Sequence, residues 1–333
     1  MYNTTEFLNN LYKTVQPEID LTECSKEQFE NIKEDRIRTL KEILKIEELE
    51  KLLDKELEYK IEENFESMQI QIDKYILDAI KGLKFPVYHI KPSKPNGKVI
   101  FYLHGHDDMG IMGALLERYD KVRYHKMIPL KLAKAGYEVF APELMGHGEA
   151  RYKGFPKGTE NLAGCVPNAN YLTLMGYSLG GFRAYQSIKT LDFIEKLCGC
   201  KNVSVFGVSG GGMSAQQLLP LEDRITSGIV ACYPNTYEES VLAKEHCVCN
   251  YIPGLLKLGD SAQLLALAAP KKIFTVNGIA DRGFPKAGSE KAFNYLTQIY
   301  NNLGCSENYS SALIEGRHEI DENVIIEWFN NNI

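Results

Sequence analysis

Asn202-Val203-Ser204-Val205-Phe206-Gly207-Val208-Ser209-Gly210-Gly211-Gly212 is the stretch on which the fold turns. A short, β-branched, apolar run of this kind reads as a buried strand. It ends directly in Gly-x-Ser-x-Gly, the pattern of a sharp strand-to-helix turn that exposes a strained serine and needs small neighbours to avoid collision. Gly210, Gly211 and Gly212 also leave room for a substrate carbonyl oxygen close to the backbone. The motif alone is weak, because glycine and serine are common in loops; the flanking strand gives it meaning.

Working outward, short apolar runs alternate with helical segments from Lys98 onward. Strands are expected at Val99 to Leu103, Glu138 to Ala141, Val203 to Gly207, Ile225 to Cys232, Lys272 to Val276 and Ser311 to Ile314. Helices are expected at Lys126 to Ala135, closed by Gly136, and at Gly181 to Leu197. This alternation is that of a mostly parallel sheet covered by helices. The Gly-, Pro- and Asn-rich stretch from Ala150 to Asn170 reads as a loop over one end of that sheet. Upstream, Gln69 to Leu77 and Lys84 to Ile90 read as a hairpin, with Pro86 marking an edge position or a strand start. Ser25 to Lys60 reads as helix, opened by a Ser25/Gln28 capping box and carrying Ile32, Ile37, Leu40, Leu44, Leu49, Leu52 and Leu53 among dense Lys and Glu. The expected organisation is an N-terminal helical arm over residues 1–60 and one α/β domain over 61–333.

A second Gly-x-Ser-x-Gly occurs at Gly176-Tyr177-Ser178-Leu179-Gly180. Ser178 precedes Phe182, Tyr185, Ile188, Leu191, Ile194 and Leu197, one apolar helical face, so it reads as a helix cap. Ser209 is the expected nucleophile. A serine hydroxyl needs a base, and the base an orienting acid, in the chain order Ser, Asp or Glu, His. Two histidines follow Ser209. His246 precedes any plausible acid, whereas His318 follows the last strand and is the expected base. Asp281 follows the strand Lys272 to Val276 and is the expected acid. Asp260 lies before that strand, and Glu315 sits too close to the histidine. Backbone N–H groups of Gly210 and of His106, in the loop after Val99 to Leu103, are the expected oxyanion donors.

The 333 residues are 44% hydrophobic and 25% charged, with a formal net charge of −6. That balance belongs to a globular chain and offers no basic field for phosphate backbones, so nucleic acid is not an expected partner. The N-terminal residues carry no positive region followed by an apolar stretch, and no run suits a bilayer; a cytoplasmic location without membrane attachment is expected. The eight cysteines are then expected as free thiols. Cys247 and Cys249, beside His246, hint at a metal site but lack a second spaced pair. The sequence leaves a homodimer open.

Taken together, Leu103-His104-Gly105-His106, Ala135 to Glu143, Gly146-His147-Gly148, Gly207 to Gly212 and Asn277 to Pro285 resemble dienelactone-hydrolase and acetyl-xylan-esterase-like α/β-hydrolases, from about Lys60 to the C-terminus. Such a sheet has three strands after its nucleophile strand, which Ser209 satisfies and Ser178 does not. The resemblance implies ester hydrolysis through an acyl-serine, small acyl groups such as acetyl, a small-molecule ester substrate and no cofactor. Dienelactone hydrolase itself uses cysteine; Ser209 in that place points to the esterase side. The stretch His246 to Gly254 looks like an insertion of related bacterial esterases that lines the substrate pocket.

Two rival readings follow from the same residues. His104-Gly105-His106-Asp107-Asp108 fits His-x-His-x-Asp, the opening of a zinc hydrolase site using His104, His106 and Asp108, although Met109 stands where that pattern wants another histidine. A hydrolase-fold protein that binds its ligand without turnover is the non-enzymatic alternative.

Overall fold

In the computed structural model, which describes residues 3–116, 124–154 and 164–333, the apolar runs line up as a nine-stranded sheet. Its strands are β1 (Asp54–Ser67), β2 (Ile70–Ile80), β3 (Leu83–Lys91), β4 (Val99–Leu103), β5 (Glu138–Pro142), β6 (Val203–Val208), β7 (Ile225–Ala231), β8 (Lys272–Gly278) and β9 (Tyr309–Ile314). They are ordered β1-β2-β3-β5-β4-β6-β7-β8-β9. β1 pairs antiparallel with β2, β2 with β3 and β3 with β5, and every later pairing is parallel. From β4 onward each strand ends within two residues of its expected end.

Helices cover both faces, and strand alternation decides which core each residue joins. Phe101, Leu103, Val203 and Val205 face one core; Ile100, Tyr102, Phe206 and Val208 face the other. The first core is covered by α2 (Lys26–Ile43) and α3 (Ile46–Leu53), which follow α1 (Thr4–Val15). The second takes α4 (Met112–Leu115) and α5 (Ile128–Lys134). Next along the chain come α6 (Cys165–Leu174), α7 (Leu179–Cys198), α8 (Gly210–Leu221), α9 (Ser261–Ala266) and α10 (Lys286–Asn302), all on the first face. Finally α11 (Glu322–Asn332) closes the second face with Ile325, Trp328 and Phe329. Each large apolar side chain so enclosed contributes about 1.5–3 kcal/mol.

The helical arm packs into the first core through Phe29, Leu40, Leu44 and Leu49. Buried Arg36 ties it down by donating to the carbonyls of Ile19 and Leu258. The capping box is formed, with Ser25 and Gln28 bonding reciprocally.

Three expectations are corrected. The helix expected to run to Lys60 ends at Leu53, and Asp54 to Lys60 belong to β1, where Leu57 and Tyr59 point inward between exposed Glu56, Glu58 and Lys60. The period-2 signal was present but masked by the density of Lys and Glu. Pro86 lies inside the sheet, not at its edge. Its carbonyl faces β5 and accepts from Glu143 N–H, and the β5 ladder begins only at Val87, so the missing N–H costs no sheet bond there. Within the loop expected over 150–170, Cys165 to Asn170 form the start of α6, while residues 155–163 lie outside the described residues. Among the described residues no helix is long and apolar enough to cross a membrane.

Candidate active site

The C-terminal ends of β4, β6, β8 and β9 meet at one place, where ligands bind in sheets of this type. Ser209 stands between β6 and α8 with φ 57° and ψ −119°, in the left-handed half of backbone space. A non-glycine residue held there costs on the order of 1–3 kcal/mol and persists only if its surroundings over-determine it. They do. Ser209 N–H donates to Ala231 O, and Met213 N–H donates to Ser209 O. The glycines permit the turn: a Cβ on Gly207 would lie 2.2 Å from Gly211 O, and one on Gly211 would lie 1.9 Å from Leu103 O.

Two further loops converge on Ser209 because they are tied to each other. Past β8, Ala280 N–H donates to Gly316 O, and Gly278 passes so close to Arg317 O that a Cβ would come within 1.9 Å. This joins the segment carrying Asp281 to the segment carrying His318. His318 Nδ1 lies 2.6 Å from Asp281 Oδ2, and His318 Nε2 lies 2.8 Å from Ser209 Oγ. Asp281 Oδ1 accepts from the N–H groups of Gly283 and Phe284. Burial pushes the Asp281 carboxyl up, but the hydrogen bond and charge of His318, with those two amides, outweigh it and hold it below the ordinary range. A carboxylate can only accept, so Nδ1 carries a proton, and in the neutral ring Nε2 is the nitrogen that can accept from the Ser209 hydroxyl. Phe284 stacks on the imidazole at 5.7 Å between ring centres, and Tyr124 lies 5.5 Å away on a tilt.

The three side chains named from the sequence are thus in one hydrogen-bonded row. Ser178 is elsewhere: it caps α7 from extended backbone, its Oγ accepting from Gly181 N–H at 3.0 Å. Gly210 opens α8, and Gly105 packs against the serine so closely that a Cβ would lie 2.8 Å from Ser209 Cβ. The His106 carbonyl is held by the Tyr124 hydroxyl.

The zinc set His104, His106 and Asp108 does not form among the described residues. His104 is fully buried, with Nδ1 on Gly105 O at 2.9 Å and Nε2 3.2 Å from both Leu144 N and Glu143 Oε1, so neither ring nitrogen is turned toward His106. Instead the His106 side chain meets three sulfurs, those of Cys165, Cys247 and Cys249. Burial opposes protonation of His106, but hydrogen bonds to Cys165 and Cys247 and their charge push its pKa up to about 9. His246 does not join the sulfurs; it lies 5.3 Å from the Phe284 ring, and burial, then the charge of Lys244, push its pKa down. Sequence reasoning missed this grouping, along with buried Arg183, whose guanidinium touches Cys165. The Cys-x-Cys spacing was the one local signal for it.

No family model matches the chain. A provisionally named hydrolase, YtaP of Bacillus subtilis strain 168, is 26% identical over 261 residues, which cover 75% of this chain and 82% of that one. Among solved structures, a protein of Bacteroides fragilis provisionally described as an acetyl xylan esterase is similar with a TM-score of 0.77 at 13% identity, over 100% of this chain and 96% of that one. The methylesterase BT1017 is similar with a TM-score of 0.70 at 19% identity, over 98% of this chain and 66% of that one. The fold is that of the α/β-hydrolases.

Proposed function

We propose that the chain is a carboxylic ester hydrolase working through an acyl-serine on Ser209. The observation that carries this reading is the single imidazole of His318 bridging Ser209 Oγ at 2.8 Å and Asp281 Oδ2 at 2.6 Å. Neutral His318 takes the hydroxyl proton through Nε2 as Oγ attacks the ester carbonyl, and then delivers it to the leaving alkoxide. Asp281 holds the tautomer and stabilises the imidazolium formed on the way. The N–H groups of Gly210 and His106 receive the developing oxyanion; this assignment is supported by the helix start at Gly210 and by the close passage of Gly105 along Ser209. Water attacks the acyl-enzyme in the second half, with His318 as base again.

The likeness in fold to a protein described as an acetyl xylan esterase, and the motif resemblance above, support a small acyl group such as acetyl. Labelling with a fluorophosphonate, followed by mapping of the modified peptide, tests the nucleophile. A protein that binds without turnover would not label, and a label on Ser178 would overturn the assignment. A p-nitrophenyl ester series tests the acyl group: the expected optimum is acetate, and a rise in kcat/KM with chain length would remove the small-acyl reading.

A further inference from the structure

The sulfurs around His106 play no part in the row from Ser209 to Asp281, yet they are brought together from three separate segments. His106 comes from the loop after β4, Cys165 opens α6, and Cys247 and Cys249 follow β7. Their ligand atoms all lie within 4.8 Å of one another, and Cys249 Sγ is 3.3 Å from His106 Nε2. Bond lengths of about 2.3 Å to sulfur and 2.0–2.1 Å to nitrogen in a tetrahedral zinc site imply ligand-to-ligand distances of about 3.5–3.8 Å. Small side-chain movements close the set onto that geometry.

The surroundings fit an anionic cluster. Arg183 is 1% exposed, and Nη2 donates to Cys165 Sγ at 3.0 Å while the guanidinium also reaches Met145 O and His147 Nε2. Among the described residues no carboxylate lies within ion-pair distance of it, and a buried cation needs a partner of opposite charge. Three thiolates and a neutral imidazole on a divalent ion carry one net negative charge, which supplies that partner. His147 lies behind the set, where its Nε2 accepts from Arg183 Nη2 at 2.8 Å. A cavity of about 470 Å³, lined in part by His106, Arg151, Cys165 and Cys247, gives an ion a way in.

We propose that His106, Cys165, Cys247 and Cys249 bind one zinc ion as a closed structural site. As the bonds to zinc form, the thiols release their protons to solvent, and so does the His106 ring, which must bind through an unprotonated nitrogen. Four protein ligands leave no position for a reactive water, so the ion stabilises and does not hydrolyse. Its place matters nonetheless. The His106 ring lies against the start of α8, where a Cβ on Gly210 would come within 2.7 Å of it. The ion would therefore pin the loop after β4, the start of α6 and the 247–249 segment around the turn that carries Ser209. The metal assignment stands apart from the proposed ester hydrolysis and does not rest on it.

The test is metal analysis of the full chain, prepared under reducing conditions without metal-affinity resin. One zinc per chain, released by a thiol-reactive mercurial, is the expected result. Replacing Cys165, Cys247 and Cys249 singly by serine should lower zinc affinity at least tenfold. Cobalt exchanged into the wild-type protein should show the strong visible absorption of a tetrahedral thiolate site, a readout that needs no variant to fold. Zinc well below one equivalent, iron in its place, zinc retained by the triple Cys→Ser variant, or a disulfide among the three cysteines in a non-reduced peptide map would each overturn the site. Fluorophosphonate labelling of the same samples separates the two proposals: labelling without zinc sinks the metal site alone, and zinc without labelling sinks the esterase reading alone.

Discussion

Ser178 and Ser209 occupy the same Gly-x-Ser-x-Gly pattern and both precede a helix, yet their backbones differ completely. Ser178 is extended, with φ −118° and ψ 151°, and its hydroxyl accepts from Gly181 N–H. Ser209 is in the left-handed region, and its hydroxyl meets His318 Nε2. The pattern supplies only small residues, so what precedes it decides the outcome. Gly176 ends the turn that follows α6, where nothing forces strain, and the chain relaxes into an ordinary cap. Gly207 lies inside β6, paired on both sides by β4 and β7, so the chain must turn abruptly to start α8.

The largest expected effect tests that contrast directly. Ser209→Ala should lower kcat by about 10⁶-fold and abolish fluorophosphonate labelling, as when such a unit loses its nucleophile. Esterase activity close to wild type would place the chemistry elsewhere. Asp281→Asn should be milder, about 10⁴-fold in kcat, with circular dichroism unchanged. A loss confined to KM would show that Asp281 does not act through the imidazole.

Acid should separate the two serines further. Turnover needs an unprotonated His318 Nε2, because an imidazolium cannot accept a proton from Ser209. The stability consequence runs through Asp281. Its folded-state pKa is lowered, so its contribution is present above the ordinary carboxylate value of about 3.9 and is lost as pH falls through the folded value. Wild type and Asp281→Asn should therefore converge in Tm on acidification; a gap that stays constant would remove the charge from the explanation. The smallest effect belongs to Ser178→Ala, which should cost about 1 kcal/mol in a denaturant titration and leave kcat/KM nearly intact. A large loss of activity would break the comparison from the other side.

The features that rest on local chemistry are legible in the chain before it folds. Alternation and turn residues placed β4 to β9 within two residues of their ends, since side-chain period and glycine conformations are properties of neighbouring residues. Ser209, Asp281 and His318 were picked by matching the loops after those strands to the chain order Ser, Asp or Glu, His, and they can meet because a parallel sheet delivers every loop after a strand to the same edge. Where local signals conflicted, tertiary pairing decided. Tyr59 joined β1 because it pairs with Leu77 of β2, with Leu57 in the irregular step just before that ladder, and Pro86 fitted inside the sheet because the β5 ladder stops beside it. For the grouping of His106, Cys165, Cys247 and Cys249, spacing pointed only to Cys247 and Cys249. Its members are up to 143 positions apart, from His106 to Cys249, and meet only when α6 and the segment after β7 pack beside the β4 loop. Periodicity records what a residue does with its neighbours in the chain; a ligand set assembled across the chain exists only once the chain is folded.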